Sequence, residues 1–107
     1  GSGSAAGIIY LMGGTAKEVG DAINLMAANL TGMICDGGSV GCSLKASTGV
    51  YAAYLSAMLA MRGIAIPPNF GIIGSVPEQT VYNIGRVSAE GMKNMDSTTI
   101  DIMKQER

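Results

Sequence analysis

The sequence predicts an all-α protein, a compact bundle of about four helices with an ordered Gly/Pro loop. Three observations carry this. Apolar residues recur three and four apart in successive stretches, capping signals stand in front of two of them, and no stretch alternates with period two for long enough to make a strand. The chain has 107 residues, 48% of them hydrophobic and 14% charged, which excludes disorder and leaves room for one small domain with one core, residues 1–107.

Gly1, Gly3 and Gly7 lead into Ile8, Ile9, Tyr10, Leu11 and Met12, an apolar run with no cap and no polar face. It reads as part of a longer buried helix, and the chain as a piece of a larger helical protein. Thr15 and Glu18 then form a capping box, in which the hydroxyl accepts a backbone N–H and the carboxylate reaches back to the cap. Val19, Ile23, Met26, Leu30 and Met33 place one apolar face on a helix running to about Cys35, with Lys17, Asp21 and Asn24 on another face. Asp36, Gly37 and Gly38 break it.

A second helix begins near Cys42 or Ser43. It carries Val50, Tyr51, Tyr54, Leu55, Met58 and Leu59 among alanines, and a helix apolar almost all round is expected at the centre of a fold. Arg62 and Gly63 stop it. Ile64 to Gly74, with Pro67, Pro68 and Asn69, reads as an ordered loop. Ser75, Pro77 and Glu78 repeat the start signal, and Val81, Ile84, Ser88, Met92 and Met95 mark the expected inner face of a third helix. Asp96 or Ser97 would cap a last short helix holding Ile100, Ile102 and Met103.

Composition removes several function classes. The 7 Lys and Arg against 8 Asp and Glu give net charge −1, and only 5% of residues are aromatic, so no nucleic-acid surface is expected. The chain has no histidine, which removes His-based triads and His-ligated zinc. The longest uncharged stretches, residues 1–16 and 46–61, fall short of the roughly 20 apolar residues of a bilayer span, so no membrane partner is expected. No cationic segment precedes the first apolar run, and the expected location is the cytoplasm.

Cys35 and Cys42 bracket a glycine-rich hinge and form the one chemical constellation. Thiolates are soft ligands for iron–sulfur clusters or zinc, and glycines let backbone approach a bulky cluster. Cys42 also lies at an expected helix N-terminus, which favours the thiolate. Buried thiols or a disulfide account for the same two residues, since no Cys-x-x-Cys occurs. Lys45 and Asp36 are the charges nearest the hinge in sequence. Each reads as a solvated charge or, beside a metal centre, as a substrate-carboxylate ligand (Lys45) and an orienting group (Asp36). Tyr51 and Tyr54 read as core aromatics, and Arg86 with Glu90 as an exposed ion pair.

The stretch Thr31-Gly-Met-Ile-Cys-Asp-Gly-Gly, followed by Gly41-Cys-Ser-Leu-Lys and Ser47-Thr-Gly-Val-Tyr-Ala-Ala, resembles the C-terminal region of the iron–sulfur-dependent L-serine dehydratase α-domain superfamily. The resemblance is closest to its L-cysteine desulfidase and uncharacterised serine dehydratase-like branch. Ala6-Gly-Ile-Ile-Tyr-Leu-Met-Gly-Gly and Gly85-Arg-Val-Ser-Ala-Glu-Gly-Met extend it over nearly the whole chain. It implies an all-helical domain whose cysteines hold a 4Fe-4S cluster with one iron open to substrate, and it matches Cys35 and Cys42 to two of three protein ligands. The third ligand of the family lies upstream of the segment resembling Gly7 to Gly14, and this chain has only the two cysteines.

The implied reaction of the parent is β-elimination from L-serine or L-cysteine, giving pyruvate and ammonia, with sulfide as well from cysteine. The remainder of the parent chain is the implied partner. Lys45 is the candidate for substrate binding, and the resemblance identifies no base on these residues. The isolated chain is then expected to be inactive. Two other readings stand beside this one. One is a non-enzymatic helical packing or oligomerisation module with structural cysteines, assembling with itself through its apolar first helix. The other is a homodimer sharing a zinc ion through Cys35 and Cys42 of each chain.

Overall fold

The structure, a computed structural model, describes residues 1–35, 38 and 40–105. Among these, chain order gives five α-helices: α1 (Ser2–Leu11), α2 (Ala16–Leu30), α3 (Val40–Met61), α4 (Pro77–Arg86) and α5 (Met95–Gln105). A π-helical turn at Val87–Gly91 follows α4 directly, and the described residues hold no strand. The class is all-α, as the periodicity predicts.

The apolar N-terminal run is a helix of ten residues with a definite end. Gly13 at φ +76° lets Gly14 N–H reach Ile9 O at 2.9 Å and Gly13 N–H reach Tyr10 O at 3.1 Å, a Schellman stop. Thr15 begins α2 as the capping box requires: Glu18 N–H donates to Thr15 Oγ1 at 3.3 Å, and Thr15 N–H donates to Glu18 Oε1 at 2.8 Å. The helix ends at Leu30 rather than near Cys35, because Thr31 is extended and Gly32 takes φ +103°, which no helix can propagate through. Asp36 and Gly37 of the expected break lie outside the described residues.

Helices α1, α2 and α3 form the core. A Cβ built on Gly1 would approach Gly49 O at 4.0 Å, and one built on Gly14 would meet Met61 Sδ at 2.9 Å, so α1 and α3 run parallel with α2 antiparallel between them in sequence. Ala5, Ala22, Ala53, Ala57 and Ala60 are fully buried, and these small side chains let the three axes approach closely around Ile9, Leu25 and Met26. Arg62 and Gly63 stop α3 as expected: Gly63 at φ +77° allows Ile64 N–H to reach Leu59 O at 3.0 Å.

Helix α4 packs on α2, while α5 packs on none of the other helices and extends from the core as an arm. Pro77 sets the start of α4 in place of Ser75. A residue before proline is driven extended, so Val76 becomes the N-cap and no side chain caps the helix. The inner face is also displaced from the expected one: Thr80 is fully buried, while Val81 is 59% exposed. The π-helical turn adds a residue to the helical repeat, which leaves Ser88 exposed and Met92 and Met95 half-buried. No described helix is long and apolar enough to cross a membrane.

Candidate functional site

Cys35 lies in the irregular segment after α2 and is exposed; Cys42, half-buried, is the third residue of α3. The fold brings their sulfurs to 4.0 Å. That is beyond the about 2.05 Å of a disulfide bond and near the about 3.8 Å between two thiolates on one tetrahedral ion with 2.3 Å bonds. The pair can bind a soft metal centre or close to a disulfide on oxidation. Among the described residues no third His, Cys, Asp or Glu joins it to make a metal-binding group. Asp36 lies outside the described residues.

Along α3 the residues Cys42, Lys45, Gly49, Ala52, Ser56 and Ala60 are spaced three and four apart, so they share one side of the helix. The later part of this stripe is the buried core face, and its first part, Cys42, Lys45 and Gly49, is half-buried. Since α1 begins level with Gly49, the first nine residues of α3, about 13 Å of helix, project beyond its N-terminal end. Lys45 therefore stands one turn from Cys42 on the side of α3 that is packed further along. Lys45 thus places a cationic side chain on the same side of α3 as Cys42.

Tyr51 and Tyr54, expected in the core, are instead 77% and 60% exposed. The alanine side of α3 takes the packing, and the bulky side faces away from α1 and α2. Arg86 and Glu90 do form the expected surface pair at 3.1 Å. Its main effect is the hydrogen bond, reinforced by charge, that holds the Glu90 carboxyl below its ordinary value and raises Arg86. Lys17 and Asp21 pair similarly at 2.8 Å.

Asn24, expected on the polar face of α2, is misassigned in the opposite sense to the two tyrosines. It is 8% exposed and accepts the Thr80 hydroxyl hydrogen at 2.7 Å, while Thr80 Oγ1 accepts Gly74 N–H at 3.0 Å. Asn83 Nδ2 donates to Ile72 O at 2.9 Å beside it. These bonds fix α4 and the Gly/Pro loop onto α2. No local signal marks Asn24, because its partner lies 56 residues away.

Comparison with known proteins bears on the whole chain. It is 50% identical over 103 residues to a UPF0597 protein of Clostridium botulinum, 47% identical over 103 residues to one of Caldanaerobacter subterraneus and 45% identical over 102 residues to one of Bacteroides fragilis. Each alignment covers 95% or 96% of this chain and 24% of the relative, so the chain spans about a quarter of the length of these relatives. No solved structure matches. The model of the serine dehydratase alpha chain family matches residues 1–101, and the chain belongs to that family.

Proposed function

We propose that this chain is the C-terminal, cluster-bearing segment of an iron–sulfur-dependent L-serine or L-cysteine ammonia-lyase, of the branch that includes the L-cysteine desulfidases. The observation that carries the reading is that the fold gathers Cys35 and Cys42, seven residues apart in sequence, at one edge of the helical core. The two thiols fit a 4Fe-4S cluster in donor type; since each would bind a different iron, their sulfurs would part beyond the present 4.0 Å, Cys35 moving with the irregular segment that carries it. The third thiolate would come from the remainder of the longer polypeptide, so the isolated chain would be inactive.

When bound, the cluster would supply Lewis acidity toward the substrate carboxylate and its β-substituent. Cys35 and Cys42 would hold it, with the N-terminus of α3 favouring the thiolate of Cys42. Lys45, one turn on, would hold the substrate carboxylate by charge-assisted hydrogen bonding. Removal of the α-proton and loss of the β-hydroxyl or β-thiol give aminoacrylate, which hydrolyses to pyruvate and ammonia. Such oxygen-sensitive chemistry suits a cytoplasmic protein.

The test is turnover by the longer polypeptide prepared anaerobically with iron and sulfide. Pyruvate from L-serine or from L-cysteine, with sulfide as well where cysteine is the substrate, is the expected result. Lys45→Gln should raise KM roughly tenfold or more through loss of a charge-assisted bond. Pyruvate formation that survives Cys42→Ser unchanged would overturn the proposal.

A further inference from the structure

The two sides of α3 are built differently. One carries the buried Ala52, Ala53, Ser56, Ala57 and Ala60 against α1 and α2. On the other, Val40, Leu44, Tyr51 and Leu55 are spaced four, seven and four apart along one stripe, with Tyr54 beside it, and all are at least 51% exposed. No charge occurs from Ala46 to Met61, so this side lacks the Lys and Glu that solvate an ordinary surface helix.

We propose that this outer face of α3 is an interface buried against the remaining polypeptide of the longer protein, making α3 the middle of two helical layers. The inference rests on the family's longer chains and is independent of the lyase chemistry. Three observations select this occupant. The relatives supply about three times as much chain again beyond the matched segment, since 103 matched residues are 24% of their length. The chain is thin, with principal extents of 50 × 27 × 15 Å. The accessible surface of 7072 Å² exceeds the about 5,600 Å² expected for a monomer of 10.9 kDa.

That excess of about 1,500 Å², shared between this face and the α5 arm, is larger than the roughly 800 Å² each partner contributes to a standard interface. A covalently attached cover acts at an effective concentration on the order of millimolar, which a second copy at micromolar concentration does not match. Leu44, Tyr51 and Leu55 would be its anchors, aromatic and aliphatic groups on a rigid helix.

The test is maleimide labelling of Tyr51→Cys, followed by peptide mass spectrometry, in the 107-residue chain and in the longer polypeptide. Tyr51 touches the core so little that the substitution leaves the fold intact. The expected result is rapid labelling in the short chain at all concentrations and labelling slowed at least about tenfold in the longer one. Equal rates in both would overturn the proposal. So would protection that appears in the short chain as its concentration rises while the longer polypeptide labels freely, because a second copy would then be the occupant. Tyr51→Asp supplies a second readout: it should lower the Tm of the longer polypeptide by about 5 °C or more and leave the short chain's Tm unmoved. Neither readout depends on catalysis, so failure of the lyase reading would leave protection of Tyr51 intact.

Discussion

Thr80 donates its hydroxyl hydrogen to Asn24 Oδ1 at 2.7 Å and ties α4 to α2 through a fully buried bond. The same oxygen accepts Gly74 N–H at 3.0 Å, so one side chain joins three segments. Thr80→Val keeps the shape and leaves both partners unsatisfied. The expected loss is about 1–3 kcal/mol, read as a lowered urea midpoint with an unchanged slope. Thr80→Ser, which keeps the hydroxyl, should recover most of it.

Two glycines, one at a helix stop and one inside a helix, give a paired prediction. Gly63 holds φ +77° at the end of α3, so Gly63→Ala should cost about 1–2 kcal/mol. Gly7 sits inside α1, with nothing within 4 Å of the place a Cβ would take. Gly7→Ala should therefore stabilise by about 0.5–1 kcal/mol. Thermal unfolding of the two variants should move in opposite directions.

Arg86 holds the Glu90 carboxyl below its ordinary value, first by the hydrogen bond and then by charge. The stabilisation from this pair is present above the ordinary carboxylate pKa and is lost as pH falls through the depressed value. Both side chains are exposed, so the effect on global stability is small. NMR titration of the Glu90 carboxylate should show its midpoint rising in Arg86→Ala, and the shift should shrink at high salt.

The sequence made the core helices legible where local chemistry decides them. Thr15 with Glu18 started α2, and Arg62 with Gly63 ended α3, because caps act within a few residues. Ser75 failed as a cap because Pro77 dictates the conformation of its predecessor, Val76. Tyr51 and Tyr54 were misplaced because a helix apolar almost all round does not say which of its sides takes the packing, and here the small alanine side takes it. Asn24 was misplaced because a buried amide needs a distant partner, and Thr80 is invisible from its own neighbourhood. The cysteine hinge was readable as a constellation, and the 4.0 Å approach of its sulfurs came only from the packing of α3 against α2.

On the proposed function, Cys35 and Cys42 serve an iron–sulfur centre completed by the rest of the longer polypeptide. The most direct measurement is iron, sulfide and zinc content, with the visible absorption spectrum, of that polypeptide purified anaerobically, beside Cys42→Ser. The account predicts iron and sulfide in equal amounts with a broad visible absorption, both lost in Cys42→Ser while helix content by circular dichroism is unchanged. A colourless protein holding zinc or no metal, or a cluster retained in full by Cys42→Ser, would contradict it.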